Sequence, residues 1–232
     1  VTPETRMQLI GVFALLLCAF HLVGANAGTS SCEMPLVLVD TDDQELQVRI
    51  CKTVTSVLPM LEKCQLKLTN PVTISFSKQL GSPDNRCFGH YLRGKGRVVL
   101  LEPKAFEQAH KASESWTAIP AAEHFDAIVV HEFTHALVDQ NALVELSCSA
   151  DEEYIAYAMQ VASLSEPTRS ALLTSVGASI PTSTEELNPL ILGFSPTAFA
   201  ARSWLHFSNP ENGCAFVGKI IRGEVTFWMY PE

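Results

Sequence analysis

The pentapeptide His131-Glu132-Phe133-Thr134-His135 constrains this chain more than any other stretch of it. On an α-helix, residues four apart lie on one face, so both imidazoles can reach a single metal ion. Glu132 then sits beside that face, placed to take a proton from a metal-bound water. The surrounding residues agree with a helix over Ala121 to Asp139. Ile128, His131, His135 and Val138 share a face there, so the face that would bind metal is also the face that meets the core.

Two histidines leave such a site one protein ligand short, because hydrolytic zinc sites keep three protein ligands and one open position. The nearest downstream carboxylates are Asp139, Glu145, Asp151, Glu152 and Glu153. Asp139 lies one turn beyond His135 and is placed to support a ligand from behind. Glu145 would have to come from a short connection. Glu152 and Glu153 fall on a second helix, from about Ala150 to Leu164, which can fold back antiparallel onto the first. Either of these two can complete the site.

The chain has 232 residues and a net charge of −9, with no basic stripe to replace counterions on phosphate, so a nucleic-acid partner is excluded and anionic membrane surfaces are disfavoured. Arg6 precedes an apolar run from Leu9 to Val23, and Ala25-Asn26-Ala27 has the small-x-small pattern of a cleavage site. That run is short for a bilayer, which takes about 20 residues per crossing. Residues 1–27 therefore read as a signal peptide, and residues 28–232 as a single exported domain, periplasmic or extracellular. Beyond the signal stand Cys32, Cys51, Cys64, Cys87, Cys148 and Cys214, an even set that reads as up to three disulfides in an oxidising compartment.

Strand signals come first. Leu36 to Val39 and the alternating Pro71 to Ser77 are strand candidates, and Cys87 to Leu92 with Arg97 to Leu101 form a hairpin around Arg93-Gly94-Lys95-Gly96. A helix capped by Asp42 or Asp43 runs between the first two strands to about Lys63, with Pro59 expected to kink it or end it early. Gly81 to Arg86 reads as a loop, and Pro103 ends the last strand ahead of a polar segment. After the His-Glu helix and its successor come helices over 166–178, Pro196 to Phe207, and from about Pro210 to before Gly223, with a surface loop over Pro181 to Asn188. Strands first and helices later is an α+β layout.

His131-Glu132-Phe133-Thr134-His135 followed by Glu153-Tyr154-Ile155-Ala156 resembles the gluzincin branch of zinc metallopeptidases. In that branch a glutamate on the following helix completes the metal site, in a Glu-x-x-small pattern that Glu153 matches better than Glu152. The resemblance implies a small zincin-like catalytic domain that binds Zn²⁺ through His131, His135 and Glu153, with Glu132 as the catalytic base. It also implies a peptide or protein substrate held along a sheet edge, here the Cys87–Leu101 hairpin. Tyr157, Tyr154, His90 and His206 are the candidates for a donor to the developing oxyanion. His110 and His124 are expected to be solvated or to lie at helix entries. The competing expectation is a zinc-stabilised binding or inhibitor domain without turnover.

Overall fold

The computed structural model describes residues 29–82, 85–146, 149–178 and 183–227, so the expected signal peptide and Cys148 lie outside the described residues. The sheet begins with the short polar strand β1 (Thr29–Ser31) and continues with β2 (Val37–Asp40) and β3 (Val72–Ser77), which are rich in β-branched residues. A two-residue pair, β4 (Gly81–Ser82) and β5 (Asn85–Arg86), stands where a plain loop was expected. The hairpin follows as β6 (Gly89–Leu92) and β7 (Arg97–Leu101). Strand order is β1-β2-β3-β7-β6, with β2, β3 and β7 parallel and the two outer strands antiparallel to their neighbours. Val39, Ile74 and Val98 lie side by side across the three inner strands, fully buried.

Helix α1 (Gln44–Lys63) connects β2 to β3. Asp43 caps it, its carboxylate accepting from the Leu46 N–H at 3.0 Å. The helix does not end at Pro59 but runs on to Lys63. The buried stripe Ile50, Val54, Val57 and Leu61 continues past the proline, and burial of that stripe outweighs one lost hydrogen bond. The segment expected to be merely polar is helix α2 (Pro103–Ala112). Pro103 ends β7 and also opens this helix at a position where no N–H is needed, and Phe106 and His110 form its buried face.

The helical half comprises α3 (Ala121–Asn141), α4 (Ser149–Ser163), α5 (Glu166–Ser175), α6 (Pro189–Phe194), α7 (Pro196–Ser208) and α8 (Gly213–Ile221), with a 3₁₀ turn at Thr184–Glu186. Helix α3 is buried on nearly every side, from Phe125 through Val138, because it lies between the sheet with α1 and α2 on one flank and α4 on the other. Cys32–Cys51 ties the chain ahead of β2 to α1, and Cys64–Cys214 ties the end of α1 to α8 across 150 residues. Cys87 is half-buried and has no disulfide partner among the described residues. Among the described residues no helix is long and apolar enough to cross a membrane.

Candidate metal centre

The helical spacing that brings His131 and His135 onto one face leaves their Nε2 atoms 3.2 Å apart. Helix α4 returns along α3 and delivers Glu153 to the same point. Its Oε2 lies 3.3 Å from His131 Nε2 and its Oε1 3.6 Å from His135 Nε2. Zinc bonds of about 2.0–2.1 Å in a tetrahedron require ligand atoms about 3.3 Å apart. The chemistry of the donor set also fits, with two imidazole nitrogens and a carboxylate oxygen converging as a group that can hold a metal ion.

Glu152 does not join this triangle. It is the preceding residue on α4 and so points about 100° away, toward the rear of His135, with Oε2 3.8 Å from Nδ1. Its other oxygen takes the guanidinium of Arg93, from the β6–β7 turn. Asp139 is also drawn to that turn. It accepts from the Tyr91 hydroxyl at 2.6 Å and from the Gly94 N–H at 2.8 Å, and it supports neither histidine. Burial and this bond push the Tyr91 hydroxyl up to about 12. The exposed Glu145 stays on its connection.

Glu132 sits beside the triangle, 6% exposed, under the outer strand β6. Burial, reinforced by the nearby Glu153 charge, pushes its carboxyl up to about 7, against the pull of His131 and of the Tyr91 backbone N–H. Burial alone would raise Glu153 as well. The His131 hydrogen bond and the charges of both histidines outweigh it and hold that carboxyl at about 2. His135 is lowered to about 4 by burial, whereas in His131 the Glu153 hydrogen bond overcomes burial and raises it.

The strand pairing explains the Tyr91 contact. Leu101 N–H bonds to Phe88 O at 2.9 Å, which makes His90–Val99 the next hydrogen-bonded pair and turns the Gly89 and Tyr91 backbone groups outward from the sheet. The Gly89 side of β6 faces α3, where a Cβ on that glycine would meet Glu132 Cγ at 2.8 Å. His90 therefore points to the opposite face, away from the site.

Of the other candidates, Tyr154 and His206 bond to one another at 2.8 Å inside the core. Tyr157 alone adjoins the triangle, its ring 4.5 Å from that of His131. His110 and His124 are buried rather than solvated, and His124 lies at a helix entry, in the first turn of α3. His124 is fully buried among Phe88, Phe106 and Trp116, and its Nδ1 lies 2.9 Å from that of His110. Burial lowers His124 to about 3. Gly89, Tyr91, Arg93 and Gln160 also border the centre. Only the outward alternation of a hairpin edge could have pointed to the first two from sequence.

Neither the curated proteins nor the solved structures contain a significant match to this chain. One family model matches residues 37–230, which takes in the whole of the centre just described, and by that match the chain belongs to a family of unknown function, DUF6639.

Proposed function

We propose that this protein is an exported zinc-dependent hydrolase of the gluzincin type, a peptidase that cleaves peptide bonds with Glu132 as general base. One observation carries the reading: His131 Nε2, His135 Nε2 and Glu153 stand at the mutual spacing of a tetrahedral zinc site, with Glu132 alongside. The disulfides favour an oxidising compartment, in keeping with export.

When bound, zinc supplies Lewis acidity toward a substrate carbonyl and makes water a nucleophile near neutral pH. The rest of the chemistry falls to side chains of this chain. A carboxyl that titrates at about 7 is matched to taking a proton from the attacking water and returning it to the leaving amine, and Glu132 has that property and that position. Tyr157 holds its hydroxyl un-ionised, because burial and the Glu153 and Glu132 charges keep it well above its ordinary value. It can then donate to a developing oxyanion. The outward N–H and C=O of Gly89 offer an extended peptide the hydrogen bonds of an added strand beside β6.

The test is metal content of the disulfide-intact protein, beside Glu153→Ala and Glu152→Ala, followed by exposure to a peptide pool. The expected result is about one zinc per chain, lost with Glu153→Ala and kept with Glu152→Ala. Chelator-sensitive cleavage should vanish in Glu132→Gln while zinc stays bound. A protein that takes up no zinc when folded in its presence refutes the proposal. Zinc without cleavage of any peptide would make this a metal-stabilised binding domain instead.

A further inference from the structure

Behind the metal-facing edge of His131 lies a set of buried polar atoms with no partner. His131 Nδ1 is one of them. Among the described residues the others are both polar atoms of the Gln160 side chain and Nε2 of His124, on the helix faces next to it, and Oγ of Ser203 on α7. A buried amide with neither end satisfied costs folding free energy at each polar group left unpaired. Glutamine at a fully buried position calls for a reason.

The helix geometry supplies one. Gln160 follows Glu153 by seven residues on α4, so it shares that ligand's face two turns on. Helix α4 runs antiparallel to α3, and Tyr157, midway between Glu153 and Gln160, already packs on the His131 ring. The Gln160 side chain is fully buried on that face, and neither of its polar atoms has a partner. On α3, His124 precedes His131 by seven residues and shares its face in turn. Its Nδ1 is engaged with His110, and His110 interacts at its other side with the Ile119 backbone.

We infer that Gln160 is the positioning residue of the metal centre, its amide oxygen accepting the Nδ1–H of His131 so that Nε2 is presented to the metal. Metal-bound histidines ordinarily donate the second ring N–H to a carboxylate, carbonyl or water, and this fixes both tautomer and ring orientation. Among the groups lining the rear of His131, Gln160 alone offers a carbonyl oxygen from a side chain that is otherwise unpaired. The amide NH₂ is then directed to His124 Nε2, which accepts in the tautomer where His124 Nδ1–H donates to His110 Nδ1. The inference rests on the proposed zinc site and adds to it the group that orients one ligand.

The experiment compares zinc affinity, by chelator competition, in wild type, Gln160→Met and Gln160→Glu, with thermal unfolding of each metal-free protein. Gln160→Met should weaken zinc binding about 10- to 100-fold, the usual effect of removing such a partner. Its metal-free Tm should hold or rise, because an unpaired amide gives way to an apolar side chain of similar size. Gln160→Glu keeps an acceptor and should recover affinity to within a fewfold of wild type. A second readout needs no variant: in zinc-loaded wild type the His131 Nδ1–H should appear as a slowly exchanging imidazole proton with a cross-peak to the Gln160 side chain. Wild-type affinity in Gln160→Met, or an Nδ1–H with no contact to Gln160, overturns the inference and leaves the zinc site standing. Absence of zinc from wild type overturns both.

Discussion

Gly89→Ala isolates the relation between the sheet edge and Glu132. Gly89 is not among the glycines with positive φ, so its backbone would accept alanine without strain. In an extended strand the change should even stabilise, by about 0.4–1 kcal/mol, through the unfolded chain. What opposes it is space. The new Cβ would stand 2.8 Å from both Glu132 Cγ and Leu100 Cδ2, and 3.2 Å from Glu132 Oε1. Carbon atoms in contact prefer about 3.5–4.0 Å, so the neighbours must yield by roughly 0.7 Å or more. The Leu100 methyl is the tip of a side chain and can rotate. The Glu132 Cγ is mid-chain in a buried carboxylate that faces the Tyr91 N–H, and it must carry the whole group with it. Overpacking of this kind costs about 1–3 kcal/mol, and a displacement of about 1 Å at a general base costs up to about 10²-fold in rate. Urea unfolding of Gly89→Ala, Glu132→Ala and the double variant forms a cycle. The alanine at 132 removes the obstacle, so the double variant should recover at least about 1 kcal/mol relative to additivity. Under the proposed function, zinc content should stay at the wild-type level in Gly89→Ala, since Glu132 is outside the His131–His135–Glu153 triangle, while cleavage falls. An equal loss of stability from Gly89→Ala with and without Glu132 would show that the strand itself resists the methyl, and the argument would fail.

Two further outcomes follow from groups remote from the triangle. His124 titrates at about 3 in the folded protein and near 6.5 when unfolded, so between those values only the unfolded state holds its proton. Stability of the metal-free protein should therefore fall as pH drops below about 6.5, with this group contributing about 1.4 kcal/mol per pH unit. His124→Phe should reduce that slope by about one proton in chemical denaturation between pH 6 and 4, and an unchanged slope would contradict the assignment. The disulfides differ in the loops they close, with sequence separations of 19 for Cys32–Cys51 and 150 for Cys64–Cys214. Chain entropy assigns them about 3 and about 5 kcal/mol. Replacing the longer pair with serines should then lower the urea midpoint more than replacing the shorter pair, and a larger loss from the shorter pair would count against the entropic account.

What the sequence made legible was whatever rests on local period. The α1 stripe, the alternation of β3, the hairpin and the two helices of the metal centre all announced themselves through spacing. What stayed hidden was set by contacts distant along the chain. Pro103 looked like a strand terminator because nothing local says that Phe106 and His110, one turn apart, have a core to face. His110 and His124 were expected to be solvated or at helix entries because their polarity is local; His124 does lie in the first turn of α3, but its burial comes from Phe88 and Trp116 on other segments. Pro59 was given its usual weight as a breaker, and tertiary packing of the α1 stripe overrode it. Gly89 carried only the weak signal of its place on a hairpin edge, since its need lies in the closeness of α3 and not in its own backbone.

The choice between Glu152 and Glu153 shows how such distant contacts decide a site. Two consecutive helical carboxylates cannot reach one ion from the same side, because they diverge by about 100°. Which one faces the histidines depends on how α4 is rotated against α3, and that rotation is fixed by the residues α4 buries. Tyr154, Ile155 and Ala158 are fully buried. With that face inward, Glu153 falls opposite both Nε2 atoms and Glu152 is carried to the Nδ1 side of His135, where Arg93 meets it. Rotating α4 by one residue to exchange the two glutamates would drag the Tyr154 ring out of its packing with His206, Phe216 and Phe227. Which glutamate faces the two histidines, and so stands as the proposed third ligand, is thus set by an aromatic cluster around Tyr154 on a different side of α4.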